Sequence, residues 1–328
     1  MSRTEVKVEP SRNPIRHYLS YASYSGMVPP PCCFRPSGIS AITMARNEED
    51  WVEASVRSIL DFVDELVIAD NGSEDATPKT IETLAQTYPE KIRRTSLPSE
   101  DFVSGTNFLI SQTRFRWILR WHADFVARTS GSSSLRTLVD RTRTLDPRKH
   151  FSVALSGIAL DGDLEHQFED RRDIPEPFLY TYSPWLKYYV RAHWEALHVP
   201  WFYEKLTWPE VFYFHLRRVK SSMRLLQTVY WSRWFDARNE GRAVSLQDFI
   251  RLHATADYDV ADVHEAATLC ALEWFAGCVP VQPEVRADYP EILRSALNEP
   301  AYRLIYANGK LTGRAEGAKS HRLKGGNG

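Results

Sequence analysis

The sequence predicts an α/β fold with a doubly wound, mostly parallel sheet, followed by an aromatic-rich, largely helical C-terminal part. Three observations predict it. Short apolar runs alternate with segments of helical period from residue 38 to about 165. Turn and capping residues follow the apolar runs directly. Aromatic residues then crowd the stretch 176–240, where that alternation stops.

Taken in order, Ile39 to Met44 reads as a buried strand, and Val52, Val56, Ile59, Leu60 and Val63 recur at helical spacing. Glu65 to Ala69 is a second strand, followed by the turn residues Asp70-Asn71-Gly72-Ser73 and a helix from Thr77 to Tyr88. Ile92 to Ser96 reads as a weak strand, Asn107 to Thr113 as helix and Trp117 to Trp121 as strand. Leu135 to Leu145 is helical, and Phe151 to Leu160 is a strand ending in Asp161-Gly162-Asp163. Residues 245–307 read as helices, with Ala266, Leu269, Leu272 and Phe275 on one face. The expected organisation is a proline-rich arm over 1–37, an α/β domain over 38–165, a C-terminal region over 166–307 and a flexible basic tail over 308–328.

Composition narrows the function classes. Lys+Arg 41 against Asp+Glu 42 leaves a net charge of −1, which argues against a general nucleic-acid binder. No apolar run approaches the ~20 residues of a spanning helix, and the first twenty residues hold no apolar signal core. The four cysteines, Cys32, Cys33, Cys270 and Cys278, show no CxxC spacing. Reduced thiols fit the expected cytoplasmic location. The segment from Lys205 to Arg242 holds eight Lys/Arg against three Asp/Glu, a local net charge of +5 interleaved with aromatics. It reads as a packed helical subdomain, with an acceptor groove or a peripheral lipid contact as rival readings.

Ligands of doubly wound sheets bind beyond the carboxyl ends of the strands. Three polar sets fall there: Arg46-Asn47-Glu48, Asp70-Asn71-Gly72-Ser73 and His122-Ala123-Asp124. Asp70 suits a hydrogen bond from a ligand N–H, or simply a turn. His122 and Asp124, two residues apart, point to one side and could hold a divalent cation. Together with Asp75 and the approach from Asp101 to Asn107, these sets resemble the family 2 glycosyltransferases, which have the GT-A fold. That family carries Asn-Glu after the first strand, D-x-G-S-x-D after the second, and an acidic D-x-D motif. The resemblance covers about residues 38–165 and fades at the end of that range.

The resemblance implies a nucleotide-sugar donor, a UDP-sugar favoured, with transfer to a hydroxyl of a small-molecule, glycan or peptide acceptor. It places the donor over Arg46, Asn47, Glu48, Asp70, Gly72, Ser73 and His122. Asp70 would face the base, and Asp124, the second acid of the D-x-D, would ligate Mn²⁺ or Mg²⁺. His122 stands where the family has the first acid, which puts metal dependence in question. A His in the C-terminal part of such folds often meets the metal or diphosphate, which points to His215, with Arg217 beside it as a phosphate clamp. An inverting transferase needs a base for the acceptor hydroxyl. Glu195, which with His193 faintly resembles a His-Glu segment of some relatives, is the first candidate and Asp163 the second. A sugar nucleotidyltransferase and a non-catalytic sugar-nucleotide binder are the rival classes. The loop after the first strand lacks the Gly that the former would show.

Overall fold

The computed structural model describes residues 31–98, 101–169, 172–191, 194–242 and 245–317, with Tyr18, Tyr21, Ala22, Ser25 and Met27 before them. Residues 1–30 of the expected arm and the end of the expected tail, 318–328, therefore lie outside the described residues, isolated positions of the arm excepted.

The chain runs β1 (Ile39–Ala45), α1 (Val52–Ile59), β2 (Glu65–Asp70), α2 (Thr77–Thr87), β3 (Ile92–Arg94), α3 (Phe102–Gln112), β4 (Trp117–Arg120), β5 (Phe125–Ala127), α4 (Leu135–Thr144) and β6 (His150–Asp161). It continues through β7 (His166–Phe168), β8 (Glu176–Thr181), β9 (Lys187–Arg191), β10 (Trp194–His198) and β11 (Tyr203–Arg218). Helices α5 (Ser222–Asn239), α6 (Leu246–Tyr258) and α7 (Val263–Phe275) follow. The end is β12 (Cys278–Pro280), α8 (Pro283–Ala287), α9 (Glu291–Asn298), β13 (Tyr302–Ala307) and β14 (Lys310–Glu316).

The central sheet has the order β3-β2-β1-β4-β8-β6-β11-β5. β3, β2, β1 and β4 pair in parallel. β8 is antiparallel to both β4 and β6, so β6 runs with β4; β11 is parallel to β6, and β5 closes the edge antiparallel to β11. Six strands thus end on one side of the molecule. The apolar runs are continuous because both faces are covered. Leu66, Ile68, Trp117 and Leu119 face α1, α2 and α4 through Val52, Val56, Ile59, Ile81 and Leu138. Val67, Ala69 and Ile118 face the other way, against Leu109 and Ile110 of α3. Helix α3 starts earlier than the periodicity predicts, at Phe102, because the Asp101 side chain caps it by accepting from the Ser104 amide at 2.7 Å.

The aromatic-rich stretch departs from the expected helical subdomain. It forms β8 to β11, and only from Ser222 does it become helix. β11 lies inside the sheet, so Phe212, Tyr213, Phe214 and Leu216 are buried on both faces and show no alternation. Aromatic residues suit such a two-sided surface. The sheet therefore extends to residue 218, beyond the expected limit of 165. Gly157 of β6 allows this pairing, since a Cβ there would overlap the Tyr213 ring. Helices α5 to α7 bury Leu226, Tyr230, Phe249, Ile250, Ala266, Ala267 and Cys270 between them. The buried face of α7 includes Ala266 and Phe275 as expected, but Leu269 is turned outward.

Both ends of the described chain are ordered. Pro31–Phe34, at the end of the expected arm, form one 3₁₀ turn. The start of the expected tail, 308–316, is the turn and second strand of the hairpin β13–β14, whose first strand lies in the stretch expected to be helical, and the Arg314 side chain is 1% exposed. Its guanidinium donates to the carbonyls of Gly162 and Lys220 at 2.9 and 2.6 Å, so this basic residue is an internal brace. No helix among the described residues is long and apolar enough to cross a membrane.

His150 is buried with its Nε2 atom unpaired, and burial, aided by Arg116, pushes its pKa down to about 4. The folded state therefore keeps it neutral, while the unfolded chain takes up a proton below about pH 6.5. Stability is retained above that value and falls as the pH drops towards 4, by up to about 3 kcal/mol from this group. Urea midpoints of the wild type and His150→Gln between pH 7 and 4.5 should show a shallower acid loss in the variant.

Asp163 holds the C-terminal hairpin. Its Oδ2 accepts from the Leu304 amide at 2.8 Å, and its Oδ1 accepts from the Glu165 amide at 2.8 Å and meets His166 Nδ1 at 2.8 Å. Asp163→Ala should lower unfolding stability by about 1–3 kcal/mol, read from denaturant midpoints, by stranding a buried amide.

Candidate functional site

The site is assembled where β1, β2, β4 and β11 end together. Its first wall is the pair of loops after β1 and β2. Asn47 takes a left-handed conformation with φ 55°, which Asn tolerates better than most residues. Its amide donates to Ser73 Oγ at 2.8 Å, and its side-chain Oδ1 accepts from the Glu74 amide at 2.8 Å. The Glu48 amide donates to Thr77 Oγ1 at 2.7 Å, and the Glu49 amide to Asp75 Oδ2 at 3.1 Å. Gly72, at φ 77°, supplies the turn that Asp70 closes by accepting from the Gly72 and Ser73 amides, both at 3.1 Å. The same carboxylate keeps Oδ1 buried without a hydrogen-bond partner.

Asn47 and Ser73, expected to touch a donor, are thus bound to the opposite loop. Asp70 combines both readings: one oxygen makes the turn, and the other is left to accept. Arg46 contributes its carbonyl to Arg224 Nη2 at 2.9 Å, joining the loop to the first turn of α5.

The second wall brings His122, Asp124 and His215 together. One potential ligand atom of each lies within 4.8 Å of the others. Asp124 Oδ2 lies 3.6 Å from His215 Nε2 and 3.0 Å from Lys220 Nζ. Lys220 also reaches Glu48 Oε1 at 2.7 Å. His215 Nδ1 faces Asp173 Oδ2 at 2.9 Å. Burial alone would raise the Asp124 pKa, but Lys220 and His215 hold it well below the usual carboxylate range. Burial opposes charge on His215, yet Asp124 and Asp173 prevail and raise its pKa to about 9. His122 goes the other way: burial and the neighbouring Arg120 hold it well below its ordinary value. Its ring stacks on Phe125 at 4.5 Å, and its Nε2 is buried without a hydrogen-bond partner. Burial pushes Glu48 up to about 7 despite Lys220.

A neutral imidazole with an unused buried nitrogen, a carboxylate and a second imidazole, which must release its proton to bind, form a donor set that fits a divalent cation. Two ring nitrogens favour Mn²⁺ over Mg²⁺. Sequence reasoning found all three ligand candidates but missed Asp173, which follows two arginines and reads as surface charge. Lys220, within the basic segment 205–242, turns inward to this cluster. Arg217 is exposed at the end of β11, while Arg218 turns inward to Asp161 at 2.6 Å.

Neither base candidate stands free. Both Asp163 oxygens are engaged by the contacts described above. Glu195, on β10, pairs with Arg120 and accepts from Thr106 Oγ1 at 3.3 Å. His193, read together with it, lies outside the described residues. Arg120→Leu should destabilise the protein by about 3 kcal/mol by leaving the Glu195 carboxylate buried and unpaired. The double variant Arg120→Leu/Glu195→Leu should recover most of that loss in chemical denaturation.

Comparison with known proteins gives one family match: residues 40–144 fit the model described as glycosyl transferase family 2. No curated protein matches the chain. Among solved structures, the crystal structure of S. aureus TarS is similar at TM-score 0.37 and 13% identity, over 73% of this chain and 43% of that one. Residues 1–349 of TarS in complex with UDP align at TM-score 0.37 and 14% identity, over 84% of this chain and 96% of that one. The complex of the same fragment with UDP-GlcNAc aligns at TM-score 0.37 and 12% identity, over the same shares. The present chain spans less than half of the longer TarS structure. The strand-end motifs lie inside the matched segment: residues 40–144 of this chain fit the glycosyl transferase family 2 model.

Proposed function

We propose that the protein is a glycosyltransferase that moves a sugar from a nucleoside-diphosphate sugar to an acceptor hydroxyl, with inversion. The observation that carries this reading is the convergence of His122, Asp124 and His215 at the strand ends of a family 2 segment. The free Oδ1 of Asp70 suits the N3–H of uracil, so a UDP-sugar is the proposed donor.

His122, Asp124 and His215 would hold Mn²⁺ or Mg²⁺, which when bound supplies positive charge for the departing diphosphate. The remaining roles belong to the chain. Phe125 stacks on His122 and keeps its ring in place, and Asp173 does the same for His215 through Nδ1. Arg217, exposed at the end of β11, is the proposed clamp for a phosphate oxygen. Asp173 is part-exposed, with one oxygen on His215, and is better placed than Glu195 to take the acceptor proton. Glu195 is the partner that orients Arg120.

Melting of the wild type with UDP, GDP and ADP, each with and without Mn²⁺ or Mg²⁺, tests the donor. UDP should raise the melting temperature most, and more with metal. Asp124→Ala should keep the fold by circular dichroism and lower turnover of a UDP-sugar by at least about a hundredfold. Full activity in that variant overturns the assignment. Donor binding by the wild type without transfer or hydrolysis would make the protein a binder.

A further inference from the structure

Lys220 is an element of the cluster that donor binding and metal ligation leave without a role. Its ammonium sits between two carboxylates, 2.7 Å from Glu48 Oε1 and 3.0 Å from Asp124 Oδ2, on a side chain 11% exposed. The Asp124 oxygen it holds is the one that faces His215 Nε2. Two side chains beside this pair each keep a buried atom without a hydrogen-bond partner, Glu48 Oε2 next to Lys220 and His122 Nε2 next to Asp124. A lysine with three donors therefore fills this polar space only in part. The unused acceptors are what a cation of higher charge and coordination number would satisfy.

The backbone beneath Lys220 is pinned from both sides. The Val219 carbonyl accepts from Trp51 Nε1 at 2.5 Å, and the Lys220 carbonyl accepts from Arg314 Nη2 at 2.6 Å. Ser222, two residues on, gives its amide to Glu316 Oε1 at 2.7 Å. Movement is left to the flexible four-carbon stem. A divalent ion and an ammonium repel each other strongly at contact distance in a site this dry.

We propose that Lys220 and a divalent cation compete for Asp124, the lysine holding Asp124 against Glu48 until the metal enters and its ammonium moves off. The occupants are exclusive at Asp124 Oδ2, while the backbone hydrogen bonds at 219–222 stay in place. The displaced ammonium remains tethered at the rim, as a charge for an anionic ligand that the metal also contacts. The inference rests on the glycosyltransferase reading only in taking Asp124 for a metal ligand.

Calorimetric titration of Mn²⁺ into the full chain without nucleotide tests it. Lys220→Met should bind Mn²⁺ about tenfold tighter than the wild type or better, since the competing charge is gone. Equal or weaker binding, or no binding to either protein, overturns the proposal. Should Lys220→Met fail to fold, the wild type decides the matter. With ¹⁵N-lysine labelling, the ammonium signal that Lys220→Arg removes should shift or vanish on saturation with Mg²⁺. An unchanged signal overturns the proposal. Melting with UDP in the absence of metal separates the two readings. A UDP shift alongside failed competition removes only the lysine proposal. No response to any nucleoside diphosphate removes the donor reading, while the Mn²⁺ comparison still decides Lys220.

Discussion

A carboxylate taken as far out of water as Asp124 must be met by positive charge, and much of the second half of the chain is placed to meet it. Asp124 lies past the end of a central strand, where the sheet and its covering helices exclude solvent. An unpaired ion at such a depth would be strongly unfavourable. Lys220 and His215 supply the match, and each is tied to a second acid, Glu48 or Asp173. These contacts form a chain of alternating charge, Glu48–Lys220–Asp124–His215–Asp173. It runs from the β1 loop to the start of β8, so no member can be removed without unbalancing its neighbours.

The loops after β1 and β2 solve a different problem. Chain that leaves a parallel sheet loses its ladder partners, and its amides need new acceptors. Ser73, Thr77, Asp75 and Asn47 supply them across the two loops. Residues that look like ligand contacts in the motif therefore work as a mutual scaffold. What this pairing leaves without a partner includes one Asp70 oxygen. Site geometry is fixed by the polar residues that face each other.

Legibility in the sequence followed burial. β1, β2, β4 and β6 were readable because a short run covered on both faces is continuously apolar and ends in turn residues. β11 uses the same environment but is rich in aromatics and carries polar residues in its first half, so neither period stands out. His215 is a candidate only through the resemblance, since a lone histidine between aromatics reads locally as a core residue. Asp173 was not legible, because its partner lies 42 residues away and only the sheet brings them together. Arg314 was misread for a related reason. A lone arginine in a Gly-containing, basic segment has the composition of a solvated tail, and nothing local reveals that its guanidinium ends on the carbonyls of Gly162 and Lys220.

That last contact changes what counts as the functional unit. The segment that fits the family 2 model ends at residue 144 and supplies the loops after β1 and β2, His122 and Asp124. His215 and Lys220 arrive on β11 and the turn behind it, and that turn is fastened by Arg314 and Glu316 from a hairpin 94 residues further on. The hairpin is fixed in turn by Asp163, which follows β6 in the same sheet. The segment 40–144 alone would leave Asp124 buried without either cation. The charge balance at the strand ends therefore requires the chain as far as residue 316, and the acidic motif depends on a C-terminal part that carries no family signature of its own.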